Sequence, residues 1–301
     1  MINSFEALCT EAVKKGPKTV AVACAQDDDV LKAVKAAYDE GMINVILVGD
    51  QPKIKMIADT IGFDISGLEC IQIEDAVEAS LKAVSLVSSG KADIVMKGLV
   101  DTSIILKAVL NKEVGLRSGN VLSHLAVFEV PTYHKMLMLT DAAMNIAPDL
   151  NTKKQIVENA LAVTKALGIE TAKVGVLAAK EKVNPAMQAT VDAGELVKMN
   201  QSGEITDCII GGPFALDNAI SKEAAQIKGV KDPIAGDVDL LICPQIESGN
   251  ILYKALNFLA NAKSAGVIVG ATAPVILTSR ADSDESKHYS IALGVLMTAN
   301  K

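Results

Sequence analysis

Short aliphatic runs alternate with stretches of helical period along most of the chain. The runs cover residues 19–24, 44–49, 69–73, 94–96, 125–129, 136–139, 174–177, 208–211, 240–243, 267–269 and 275–278. Continuous rather than alternating hydrophobicity predicts strands buried on both faces. Residues 29–40, 76–88, 155–167, 187–199, 249–262 and 286–298 read as helices. In the last of these, Ile291 with Val295 and Leu293 with Leu296 recur at helical spacing. The N-terminal MINSFEALCTEAVKK predicts one helix more. Strands that alternate with helices predict a doubly wound α/β fold.

The rhythm breaks at residues 123–139, where two strand-like runs are separated only by Val130, Pro131, Thr132 and Tyr133. That predicts a hairpin or antiparallel insertion at the junction of two lobes. Pro148 and Asp149 precede Asn151, which can cap the helix that follows. A second strand–helix series runs to about residue 262, and the final strand, loop and helix return to the first lobe. The expected organisation is two doubly wound lobes, residues 1–130 plus 264–301 and residues 131–263, with a cleft between them.

Half of the 301 residues are hydrophobic, but only 3% are aromatic and none is Trp, so the core must be aliphatic. The net charge of -7, with no basic stretch interleaved with aromatics, removes the electrostatic case for nucleic-acid binding. No apolar run reaches the ~18 residues of a membrane span. The N-terminus lacks the basic start and apolar centre of a signal peptide. Cys9, Cys24, Cys70, Cys208 and Cys243 are scattered singly without a CxxC, which predicts reduced core cysteines in a cytoplasmic protein. GxGxxG, GxxxxGK[ST] and HExxH are absent, and His124, His134 and His288 lie far apart. No metal site is read from spacing, although a site of dispersed Asp residues stays open at this level.

Of 29 cationic residues only Arg117 and Arg280 are arginine, the side chain suited to holding an anion in a fixed fork. Arg280 lies in APVILTSRADSDES, residues 273–286, where a strand ends, a polar loop begins and a helix starts near Ser283. Ligands of open α/β sheets bind at the carboxyl ends of strands. There Ser279 can donate a hydrogen bond, Arg280 can clamp an anion, and the helix N-terminus adds free N–H groups. Asp282, Asp284 and Glu285 stand close by, and helix capping by Asp282 or Ser283 with Glu285 accounts for these residues equally well. Arg117 and Ser118 lie in GLRSGNVLSH, residues 115–124, which also holds Ser123; its glycines permit close approach of an anion, and a surface turn is the alternative. Lys97, with Asp101, Thr102 and Ser103, follows another strand, and capping explains Asp101 and Thr102 as readily as phosphate binding. Gly212 and Pro213 shape a strand exit, while Glu247 and Asn250 offer polar groups to a large ligand, with turn chemistry as the alternative.

MKGL at 96–99, LTDAAMNIAP at 139–148, GPFALDNAIS at 212–221, GNILYK at 249–254 and TSR at 278–280 resemble, in order, the phosphate acetyl/butyryl transferases. The resemblance spans nearly the whole chain. It implies lobes like those of isocitrate and isopropylmalate dehydrogenases, homo-oligomers, and reversible conversion of acyl-CoA and phosphate to acyl phosphate and CoA. Coenzyme A is then a substrate, and no metal or redox cofactor is required. A butyryl group is favoured, with acetyl as the alternative. Ser279 and Arg280 match the family's substrate-holding Ser-Arg pair. The family's catalytic Asp falls on Ser286, two residues beyond Asp284, so Asp284 is the expected base, ahead of Asp282 and Glu285. Of the further phosphate-binding arginines, one falls on Lys107 and the other lies several residues from Arg117. The expected substrate-binding set is Arg117, Ser118, Lys97, Thr102, Ser123 and Asn250. Two other classes remain open on the residues: a hydroxyacid dehydrogenase on the same fold, and a non-catalytic CoA- or acyl-binding module.

Overall fold

A computed structural model describes residues 1–279 and 282–299. The chain divides into two compact units, Phe5–Asn120 with Ala265–Lys301, and Met1–Ser4 with Val121–Ser264. All eleven aliphatic runs lie on strands.

In the first unit the chain runs α1 (Phe5–Lys15), β1 (Lys18–Ala23), α2 (Asp28–Asp39), β2 (Ile43–Gly49), α3 (Gln51–Thr60), β3 (Glu69–Gln72), α4 (Ala76–Ser88), β4 (Ile94–Lys97) and α5 (Thr102–Val109). It returns with β10 (Lys263–Val269), β11 (Val275–Ile276) and α11 (Asp284–Ala299). The strand order is β3-β2-β1-β4-β11-β10. All neighbours are parallel except β10 and β11. Val20–Ala23 and Ile94–Lys97 are buried without alternation, because helices cover both faces. The groups α1–α2–α11 and α4–α5 supply that cover. Phe5 of α1 stacks on Tyr289 of α11 with ring centroids 4.3 Å apart. Asp27, Asp50 and Asp75 start three helices by accepting main-chain N–H groups of Val30, Lys53, and Val77 with Glu78.

The second unit holds β5 (Ser123–Glu129), β6 (Leu137–Thr140), α6 (Leu150–Ala166), β7 (Ala172–Leu177), α7 (Gln188–Gln201), β8 (Cys208–Phe214), α8 (Leu216–Ile220), α9 (Lys222–Ile227), β9 (Leu240–Ile242) and α10 (Ile246–Phe258). Its order is β5-β6-β9-β7-β8, with β5 and β6 antiparallel and the others parallel. The expected hairpin is therefore present, turning where Tyr133 N–H donates to the Val130 carbonyl at 3.0 Å. Phe128, Phe214 and Tyr253 sit in the aliphatic core of this unit.

The boundaries differ from those expected. Residues 121–130 group with the second unit because β5 pairs with β6. Met1–Ser4 joins it too, where Ile2 N–H donates to the Leu167 carbonyl at 2.9 Å. The cap of α6 is Asp149, which accepts Thr152 N–H at 2.8 Å, so Asn151 lies inside the helix. Gly212 and Pro213 belong to β8 rather than to a turn after it.

The amino ends of β6, β7 and β9 are tied by charge. Asp237 contacts His134 at 2.7 Å and Lys135 at 3.2 Å, and also pairs with Lys173; Asp239 pairs with Lys135 at 2.6 Å. Burial alone would raise the Asp237 pKa, but Lys173, His134 and Lys135 together hold it well below the usual carboxylate range. A depressed carboxylate stabilises the fold above its unfolded pKa of ~3.9 and loses that effect as pH falls through the folded value. Asp237→Asn should cost about 1 kcal/mol at pH 7, discounting for solvent screening. Urea unfolding of the variant should also show a shallower loss of stability below about pH 4 than the parent protein shows.

Candidate active site

The first unit gathers its polar groups where parallel strands end. Ile276 of β11 pairs with Met96 of β4, and Ala23 of β1 pairs with Lys97. The exits of three adjacent strands thus lie side by side, as the carboxyl edge of an open sheet requires. Lys97 is the last residue of β4 and is 6% exposed; its amino group donates to the Gly98 carbonyl at 3.3 Å among other contacts. Gly98 N–H donates to the Ala23 carbonyl and Leu99 N–H to the Cys24 carbonyl, both at 2.8 Å. A Cβ at position 98 would overlap the Cys24 carbonyl oxygen, so only glycine lets these exits meet. Burial, then Asp75, pushes the Cys24 thiol up, away from the reactive thiolate form.

Thr102 is the first residue of α5, so its main chain opens a helix N-terminus beside the β4 exit. Asp101 occupies the N-cap position, but its side chain makes no cap hydrogen bond. Side-chain capping therefore does not explain this aspartate, unlike Asp27, Asp50 and Asp75.

Ser279 follows β11 and is half-buried. Its N–H donates to Asp282 Oδ2 at 2.7 Å, and Asp282 N–H donates to the Ser279 carbonyl at 3.2 Å. Arg280 lies outside the described residues. Ser283 caps α11 by accepting Ser286 N–H at 3.1 Å. Glu285 accepts the Tyr289 hydroxyl at 2.6 Å instead of completing a capping box. Asp284 is exposed at the first position of α11. All three acids thus accept a neighbouring protein group, Asp284 taking the Glu285 N–H at 2.9 Å from its exposed position.

Arg117 and Ser118 are placed elsewhere. Arg117 pairs across an isolated bridge with Ala271, Thr272 N–H donates to the Leu116 carbonyl at 2.9 Å, and the Ser118 hydroxyl donates to the Gly270 carbonyl. These bonds fasten both residues to the turn that enters β11, whereas Ser279 stands at its exit. The expected grouping of Arg117 and Ser118 with Ser279 is therefore not formed at the main chain.

In the second unit Ser123 is fully buried, and its Oγ accepts Asn159 Nδ2 at 3.2 Å. Asn250 Nδ2 donates to the Ala142 carbonyl at 3.1 Å. Asn250 thereby braces a loop built on Asp141, which is 3% exposed. That carboxylate accepts main-chain N–H groups of His124, Ala143, Met144 and Asn145 at 2.9–3.3 Å, and Asn145 Nδ2 at 2.6 Å. Asp141 was not among the expected site residues, although an Asp two residues after the aliphatic run at 136–139 was a readable signal. Among the described residues no group of three His, Cys, Asp or Glu side chains is arranged to hold a metal ion. No helix among them is long and apolar enough to cross a membrane.

A two-unit α/β protein with polar groups at strand exits narrows the class but not the reaction. The family described as phosphate acetyl/butaryl transferase matches residues 4–80 and 74–295, and the chain belongs to that family. It is 49% identical to phosphate butyryltransferase of Clostridium acetobutylicum over 100% of both chains. It is 44% identical to phosphate acetyltransferase of Thermotoga maritima, over 97% of this chain and 99% of the relative. The branched-chain phosphotransacylase of Enterococcus faecalis V583, a crystal structure, superposes with a TM-score of 0.81 at 36% identity, covering 93% of this chain and 99% of that one.

The close approach at Gly98 generates a prediction. Gly98→Ala should cost about 1–3 kcal/mol through overpacking. Thermal unfolding should show the loss, and phosphate-dependent thiol release should fall with it because the Lys97 exit is displaced. A variant with parental melting temperature and rate would show that the strand exits tolerate separation.

Proposed function

We propose that this acyltransferase converts a short-chain acyl-CoA, butyryl-CoA first, and phosphate reversibly to acyl phosphate and free CoA. The observation that carries the reading is the meeting of Lys97, the α5 N-terminus and Ser279 at the exits of neighbouring parallel strands, in a chain of this family. Arg280 and Lys97 hold the phosphate dianion, and the α5 N–H groups add donors to it. One phosphate oxygen attacks the thioester carbonyl carbon. A tetrahedral oxyanion forms and collapses, the C–S bond breaks, and CoA leaves as the thiolate. Ser279 donates to the charge that develops, a contribution of about 3 kcal/mol for a single well-placed donor. In the reverse direction the CoA thiol, with a pKa near ~8.5, must lose its proton. Asp284, exposed at the first position of α11 with only the Glu285 N–H on its carboxylate, is the proposed base; Asp282 holds the Ser279 N–H and Glu285 the Tyr289 hydroxyl. Coenzyme A enters as a substrate, and the scheme uses no resident cofactor.

The setting we propose is cytoplasmic, in keeping with the five cysteines, each a free thiol. A homo-oligomer is supported by α10 and the residue after it, which present Ile251, Phe258 and Leu259 to solvent at 68%, 66% and 86% exposure. Light scattering on the purified chain measures that state directly.

Thiol release measured with acetyl-, butyryl- and branched-chain acyl-CoA tests the chain length. Butyryl-CoA should exceed acetyl-CoA in kcat/KM by about tenfold or more, the discrimination that added methylenes support. The opposite order would make the chain an acetyl enzyme. Arg280→Ala should lower kcat/KM for phosphate about 100-fold, in line with ~3 kcal/mol of lost anion stabilisation. An unchanged rate at every phosphate concentration would remove Arg280 from the site.

A further inference from the structure

Asp282 does more than hold Ser279; it is itself held from α11. The amino group of Lys287 donates to the Asp282 main-chain oxygen. Lys287 is 3% exposed. Lysine is seldom fully buried, because its ammonium loses hydration that only hydrogen bonds or opposite charge can replace. Among the described residues no carboxylate pairs with it.

Two facts separate this lysine from ordinary helix chemistry. It stands in the opening turns of α11, which begins at Asp284, the end of a helix where a cation meets an unfavourable dipole. The cap of that helix is already supplied by Ser283. Neither capping nor dipole accounts for a buried ammonium here. Its position does connect three things in series: the helix, the Asp282 backbone and, through the Asp282 carboxylate, the N–H of Ser279.

We propose that Lys287 is a positioning residue that sets the conformation of the Ser279 loop through Asp282. This rests on the reading of Ser279 and Arg280 as substrate-holding groups. The amino group fixes where the Asp282 main chain sits, and the Asp282 carboxylate then fixes the Ser279 backbone and with it the direction of the Ser279 hydroxyl. Its positive charge adds to the potential that draws phosphate to the same loop.

Lys287→Met, which keeps length and removes the donor, and Lys287→Arg, which keeps donor and charge, test the idea. Melting temperature and thiol release from butyryl-CoA at varied phosphate are the readouts. The expected result is a folded Lys287→Met enzyme with kcat lowered at least ~10-fold, KM for phosphate raised at least ~5-fold, and KM for butyryl-CoA within ~2-fold of the parent. Lys287→Arg should restore kcat to within ~3-fold. A folded Lys287→Met enzyme with parental kinetics overturns the proposal, as does Lys287→Arg no better than Lys287→Met. Should Lys287→Met not fold, Lys287→Gln takes its place: a folded, active Gln variant with parental phosphate KM overturns the proposal, and a raised phosphate KM supports it. Failure of the functional reading looks different, because the parent protein then releases no thiol on addition of phosphate.

Discussion

Parallel strands covered on both faces leave no room for polar side chains along their length. That constraint shapes everything else in this chain. Val20–Ala23, Ile94–Lys97 and Leu240–Ile242 are buried at every position, so chemistry is pushed to the strand exits. The near absence of aromatic residues follows from the same geometry, since Val, Ile and Ala fill the narrow space between sheet and helices. At the exits, the protein must then satisfy bare main-chain groups while keeping some side chains available for substrate. Asp75, Asp141 and Asp282 meet the first need by accepting backbone N–H groups.

The carboxylates illustrate why residue type alone does not assign a role. Within residues 282–285 three acids lie almost side by side in sequence, yet each faces a different partner. Asp282 holds the Ser279 N–H, Glu285 ties a tyrosine on its own helix, and exposed Asp284 accepts the Glu285 N–H. In α11 the side chains of positions three and four apart share a face, which is why Glu285 meets Tyr289.

The strands were legible because continuous aliphatic runs have few other uses in a chain this size. So was the hairpin at Val130–Tyr133, where two such runs lack room for a crossover helix. Strand ends were less legible: β8 continues through Gly212 and Pro213, residues whose local preference is for turns, because pairing with β7 extends it. α3 went unmarked, as its apolar stripe is short, with only Ile54 and Ala58 buried. The Ser279 loop was legible as a strand followed by polar residues. The placement of Arg117 was not, because it is decided by its bridge to Ala271, the Thr272 N–H on Leu116 and the Ser118 hydroxyl on Gly270, more than 150 residues along the chain. Ser123 reads as a candidate donor until its burial against Asn159 is seen. The brace on Asp141 has the same character: Gly249 is glycine because α10 presses onto the Asp141 carbonyl, a contact invisible to local patterns.

The meeting of backbone at Gly98 has a consequence for design. The β1 and β4 exits meet through main chain at Gly98, where a Cβ would overlap the Cys24 carbonyl oxygen, so no choice of side chain at position 98 can enlarge, shrink or recharge the neighbourhood of Lys97. Attempts to retune the preference for one acyl chain over another by mutating the MKGL segment will spend their library on a position with a single permitted letter. Diversity is better placed on residues whose side chains, rather than whose backbone, form the wall.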